Sequence, residues 1–200
     1  MIYLSGHIRP EMPDGIGYMH TPGGGPWLYD RPWAADNGQF SGRISLDKWQ
    51  RYLDQRPREG CLFAVVPDVV ADAAATQRKA EKWLPIVCGL GFPAAFVAQD
   101  GWRPEQTPWS EIAAIFIGGS TEWKLSLGGA VAAEGIKRGK WVHMGRVNSF
   151  KRLSAAHKIG CNSVDGTLLK FGYDININKL TSWLVRLSEQ PLLYIGSDER

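Results

Sequence analysis

A compact, single-domain (β/α)8 barrel of TIM type over residues 1–200 is the fold class this sequence predicts. Three observations lead there. From about residue 31 a short apolar run, a polar turn and a helical stretch recur in that order, which is the rhythm of βα units on a parallel sheet. Several of the apolar runs are continuous rather than alternating, as befits strands covered on both faces. No G-x-G-x-x-G or Walker A sequence is present, although an open doubly wound sheet usually carries such a phosphate loop after its first strand.

The strand candidates are Trp33-Ala34-Ala35, Cys61 to Val66, Ala94 to Ala98, Ala113 to Ile117, Lys140 to Met144 and Cys161 to Val164, with Ile2 to Leu4 at the start. A barrel needs one more. Leu168 to Phe171 or Leu192 to Ile195 is expected to supply it. Between the strands, Ser45 caps a helix bearing Leu46, Trp49 and Leu53 on one face. Asp72 caps a second, which Pro85 should stop. A third runs from about Thr121 to Lys137 and a fourth from Ser149 to Lys158, ending at Gly160. A fifth starts near Asn178. Residues 9–31, rich in glycine and proline, read as a long loop, expected to lie over the active site as a lid.

Apolar residues at 44% and charged residues at 22% are the balance of a soluble globular chain. No apolar run is long enough to span a bilayer, and the N-terminus lacks the basic start and apolar stretch of a signal peptide. Cys61, Cys88 and Cys161 are few and scattered, which suits reduced, buried thiols in a cytoplasmic protein. His7, His20, His143 and His157 are equally dispersed, so neither a metal site nor a cofactor is expected. A net charge of +3 permits a phosphate-bearing partner without demanding one.

The polar residues cluster just after the strands. Asp36, Asp68, Gln99-Asp100, Gly118-Gly119-Ser120, Gly145-Arg146 and Asp165 each follow one. In a parallel barrel such positions converge on one face. Any single aspartate there could simply cap a helix or make a turn, and Asp72 and Asp100 are read that way. The recurrence across units is what points to a site.

In order along the chain, Asp36-Asn37-Gly38-Gln39-Phe40, Phe96-Val97-Ala98-Gln99-Asp100-Gly101, Ile117-Gly118-Gly119-Ser120-Thr121-Glu122, and Met144-Gly145 followed by Gly160-Cys161-Asn162-Ser163-Val164-Asp165 resemble four segments of the tRNA-guanine transglycosylases. That family exchanges guanine for a 7-deazaguanine by a two-step displacement. The resemblance implies that Asp165 is the nucleophile and Asp36 the general acid/base. It implies that Asp68 and Gln99 read the base, with Gly118 and Gly119 letting the backbone approach it. The chain lacks the family's Cys-x-Cys-x-x-Cys…His zinc subdomain and its Pro-Thr-Arg after the nucleophile. It therefore resembles the DNA-modifying branch found in phages and bacteria, and the expected partners are DNA rather than tRNA, plus a free 7-deazaguanine such as 7-cyano-7-deazaguanine.

Arg146, Lys124, Lys151 and Arg152 are candidate phosphate-binding residues, Arg146 foremost because it directly follows a strand. Trp102, Trp109 and Trp123 read first as packing residues and second as stacking platforms for a flipped base. Two alternatives stay open: an N-glycosidase or nucleoside hydrolase on the same barrel, and a non-catalytic nucleic-acid-binding protein. A homodimer is compatible with the sequence but not required by it.

Overall fold

The computed structural model describes residues 1–7, 9–24, 31–38 and 45–189. Eight parallel strands close into a barrel in sequence order: β1 (Ile2–Ser5), β2 (Ile16–His20), β3 (Trp33–Ala35), β4 (Cys61–Val65), β5 (Ala94–Ala98), β6 (Ala114–Ile117), β7 (Trp141–Met144) and β8 (Ser163–Gly166). Closure is made by β8 against β1, with Leu4 opposite Asp165. The predicted (β/α)8 fold class is what the chain adopts.

Helix α1 (Leu46–Asp54) follows β3, α2 (Ala73–Gly89) follows β4, α3 (Thr121–Lys137) follows β6, α4 (Phe150–Lys158) follows β7 and α5 (Tyr173–Ser188) follows β8. Ser45, Asp72, Ser120 and Ser149 each cap a helix by accepting a backbone N–H three residues on. Among the described residues no α-helix follows β1, β2 or β5, where only a short 3-10 turn (Pro104–Gln106) stands.

Side chains alternate between the two faces of each strand. Leu4, Met19, Ala34, Phe63, Val65, Ala95, Val97 and Ala114 form the barrel interior. Their outward neighbours, among them Tyr3, Trp33, Ala64, Phe96 and Ile115, join Trp49, Leu84, Val131, Leu153 and Leu180 from the helices in the larger outer core.

Several expectations need correction. The eighth strand is β2, inside the segment 9–31 that read as one loop. Leu168–Lys170 is a 3-10 turn, and Leu192 to Ile195 lies outside the described residues. All five β2 residues are buried, so the middle of that segment is barrel wall and not lid; residues 25–30 lie outside the described residues. Pro85 does not stop α2, which runs on to Gly89. The proline is exposed, so water can satisfy the carbonyl its missing N–H leaves. Helix α5 starts at Tyr173, earlier than expected, after Gly172 in a left-handed conformation (φ 83°). Of the thiols, only Cys161 is buried; Cys61 is partly so and Cys88 is exposed, and all three are free. Among the described residues no helix is long and apolar enough to cross a membrane.

Gly17 shows how tightly β2 is fitted. A Cβ there would stand 2.5 Å from the Pro32 carbonyl oxygen and 2.8 Å from Leu4 Cδ2. The first neighbour is backbone and cannot swing away. Gly17→Ala is expected to lower stability by roughly 1–3 kcal/mol, read as a lower urea midpoint at unchanged slope.

Candidate active site

The inward positions of the strands continue past their C-terminal ends into the barrel mouth. Counting by two, Ala34 leads to Asp36, Val97 to Gln99, Phe116 to Gly118, His143 to Gly145 and Ser163 to Asp165. Asp36, Gln99, Gly118, Gly145 and Asp165, with Asp68, Gly119 and Arg146, line a cavity of about 440 Å³, a size ordinary for a small-molecule site. The structure thus brings the predicted catalytic and base-reading residues together. The last two residues of the Asp36 motif, Gln39 and Phe40, lie outside the described residues.

Asp68 is held on both oxygens. Its Oδ1 accepts from Asn37 Nδ2 at 3.0 Å and its Oδ2 from Gln99 Nε2 at 2.6 Å. Burial raises its pKa above the ordinary carboxylate value, and these two donors offset that rise only in part. Gln99 can be oriented in only one way. Its Oε1 accepts from the backbone N–H of Ala71 at 2.9 Å and of Gly119 at 2.8 Å, so the amide nitrogen must face Asp68. One N–H of Gln99 and a lone pair on each Asp68 oxygen remain for a ligand. Asn37 spends its own amide on Asp68 and on the Val66 carbonyl, 3.1 Å away.

Asp36 and Asp165 differ in setting. Asp36 is half-buried and lines the cavity. Burial first, and then the charge of Asp165, push its pKa from 3.8 up to about 7. Its Oδ1 accepts from Gly38 N at 3.2 Å. Asp165 is partly exposed; its Oδ1 lies 3.0 Å from His143 Nε2, and its Oδ2 meets the Arg146 N–H at 3.4 Å.

Adjacent loops hold one another. Asn37 after β3 ties down the β4 loop, and Gln99 after β5 ties the loops on both its sides. Asp100 accepts from Ser120 N and Oγ at 2.6 and 2.7 Å, fixing the start of α3. Arg146 donates to the Gly119 carbonyl, and Thr167 N donates to Asn148 Oδ1 at 2.7 Å. Two non-glycine residues in these loops, Ala71 and Arg146, have positive φ (both 60°), a strained conformation that such ties can sustain. The structural readings of Asp72 and Asp100 therefore hold, Asp100 through its ties to Ser120.

The cation predictions divide. Arg146 and Arg152 line the mouth. Lys124 does not serve there: it is buried, and its Nζ donates to the Gly145 carbonyl at 2.6 Å. Burial, with Arg146 and Arg152 nearby, lowers its pKa to about 8. Its long stem lies along the crevice between α3 and α4, so a lysine in the first turn of a helix turns inward instead of facing phosphates. Lys151 is exposed and outside the cavity lining. The tryptophans are packing residues. Trp102 and Trp109 bond to Thr107 and Pro104 and meet edge to face, and Trp123 is buried under Gly119.

Among the residues that bond the site's carboxylates or support them, Asn37, His143 and Ser163 were assigned no role from the sequence. His143 and Ser163 were within reach, since both lie two positions before residues that were read, on the same inward face. Among the described residues no group of three or more metal-ligating side chains is present.

No family model matches the sequence, and no curated protein matches it. Among solved structures the chain is similar to tryptophan synthase from M. tuberculosis, at 14% identity and a TM-score of 0.48, over 78% of this chain and 59% of that one. It is also similar to the PaMucR phosphodiesterase in complex with c-di-GMP, at 16% identity and a TM-score of 0.40, over 68% and 60%. A third structure, from Aquifex aeolicus VF5, is 16% identical with a TM-score of 0.45, over 79% and 61%. The chain spans about three-fifths of the length of these proteins. The fold assignment rests on the closed ring of parallel strands, and the function has to be read from the carboxylates at its mouth.

Proposed function

We propose that this barrel is a base-exchange transglycosylase, which removes guanine from nucleic acid, DNA in preference to tRNA, and inserts a free 7-deazaguanine. The observation that carries the reading is the residual bonding capacity beside Asp36 and Asp165. Asp68 offers two acceptors and Gln99 one donor, the complement of the 2-amino, N1–H and carbonyl edge that guanine and 7-deazaguanines share. The four-segment resemblance supports the same assignment.

In the first step Asp165 attacks C1′ and forms an ester. The C1′–N9 bond breaks, its electron pair stays with the base, and the Asp36 carboxyl supplies the proton. In the second step Asp36 takes the N9 proton of the incoming base. That nitrogen attacks C1′, and the Asp165 carboxylate leaves. A carboxyl group that stays half protonated near neutral pH suits the alternation between acid and base. Arg146 and Arg152, which line the cavity, are the cations this reading assigns to the phosphates flanking an extruded nucleotide.

The test is release of label from guanine-labelled DNA, and separately from labelled tRNA, with and without 7-cyano-7-deazaguanine. Release from DNA only in the presence of the added base is the expected result. Release from tRNA alone would overturn the DNA preference. Release without added base would make the protein a hydrolase, and binding without release would make it a non-catalytic module.

A further inference from the structure

Strand β7 turns Trp141 and His143 inward, and β8 turns Ser163 and Asp165 inward, with His143 paired opposite Ser163. These four side chains form a polar ladder that climbs the otherwise apolar barrel interior toward the mouth. Trp141 Nε1 lies 2.8 Å from Ser163 Oγ, Ser163 Oγ 2.8 Å from His143 Nδ1, and His143 Nε2 3.0 Å from Asp165 Oδ1.

The protons on this ladder can be assigned. An indole N–H only donates, so Ser163 Oγ accepts from Trp141. An ionised carboxylate only accepts, so His143 Nε2 must carry a hydrogen. His143 is fully buried against the rings of Phe63 and Phe116, with centroids 5.0 and 4.4 Å away. Burial lowers its pKa below the ordinary histidine value despite the opposing pull of Asp165, and so favours the neutral imidazole. A neutral ring with Nε2–H has a bare Nδ1, which therefore accepts the Ser163 hydroxyl proton.

We propose that His143 is the positioning residue of Asp165: locked in its Nε2–H tautomer by Ser163 and Trp141, it pins Oδ1 and leaves Oδ2 to bond C1′. This rests on the reading of Asp165 as the attacking carboxylate. Oδ2 is the freer oxygen, since among the described residues its hydrogen-bond partner is the Arg146 N–H at a long 3.4 Å. In the ester, Oδ1 becomes the carbonyl oxygen and keeps the same N–H. That bond then favours departure of the carboxylate in the second step, because it strengthens as negative charge returns to Oδ1.

Two measurements test this on the intact protein. The first is 15N NMR of the histidine side chains, with the His143 signals identified by their loss in His143→Gln. The expected signature at neutral pH is an uncharged ring protonated on Nε2. An Nδ1–H tautomer or a cation overturns the proposal. The second is steady-state exchange. His143→Leu is expected to lower kcat about 10- to 100-fold with KM little changed. His143→Gln, whose amide N–H reaches the Nε2 position, should recover much of that loss. Ser163→Ala, a milder change in case His143→Leu does not fold, should lower kcat and release the tautomer preference. A folded His143→Leu that exchanges at the wild-type rate overturns the proposal. Should the wild type exchange no base, the proposed activity falls, and the tautomer alone still decides the hydrogen-bonded chain.

Discussion

Asp165→Asn is expected to abolish the proposed base exchange, with a loss of about 10⁴-fold or more, the scale on which removal of a covalent nucleophile acts. The amide cannot form the ester. It can still accept the His143 Nε2–H through its own Oδ1, so the ladder and the fold should survive, and a nucleic-acid-binding assay should find affinity retained. The substitution also removes a negative charge that helps raise the Asp36 pKa. Asp36 in the variant is therefore expected to titrate at lower pH than in the wild type, which 13C NMR of its carboxyl carbon would read without any substrate. Full exchange by the variant would remove Asp165 from the mechanism. An unmoved Asp36 titration would show that the two carboxyl groups do not sense each other.

Asp36→Asn is the second large effect, with an expected 10²- to 10⁴-fold loss of kcat from removing the proton donor and acceptor. Stability should move in the opposite direction. The Asp36 pKa is raised from 3.8 to about 7, so the folded protein holds a proton that the unfolded chain has already released. The sign follows from linkage: this contribution is complete below about pH 4 and is lost as pH rises through about 7. Wild-type protein should lose on the order of 2–4 kcal/mol across that window, a figure reduced for the solvent that reaches Asp36 through the cavity. Asparagine, which resembles the protonated acid, carries no such dependence. Urea midpoints should therefore favour Asp36→Asn increasingly between pH 5 and pH 8, while wild-type exchange declines as pH rises through about 7. Equal pH dependence in the two proteins would contradict the raised pKa.

Apart from β1, whose continuous apolar run is read directly, the strands that the sequence shows plainly are those flanked by a helix, because a switch between periods of two and of three to four residues marks the boundary. Strand β2 has no helix on either side among the described residues, and its Gly17 and His20 interrupt the apolar run. Burial against β1 and β3 makes it a strand, and nothing local signals that. The same distinction governs the site. Asp36, Gln99, Gly118 and Asp165 were legible because they stand two positions beyond inward strand residues. Asn37 was not, because its role is to aim Asp68, a contact across neighbouring loops that spacing does not encode. Lys124 misled for a related reason: its position in the first turn of α3 suits the mouth, but the direction of its side chain is set by the Gly145 carbonyl.

The ties between neighbouring loops also bear on how this site can change. Gln99 serves the loops on both its sides, Asp100 holds the next helix start, and Arg146 reaches back to Gly119. A loop transplanted singly from another barrel would arrive without the side chain that its neighbour supplies. The graft would leave Ala71, Gly119 or Ser120 with an unanswered backbone N–H. In this mouth the heritable module is a pair of adjacent loops, and new specificity should be sought by exchanging such pairs together.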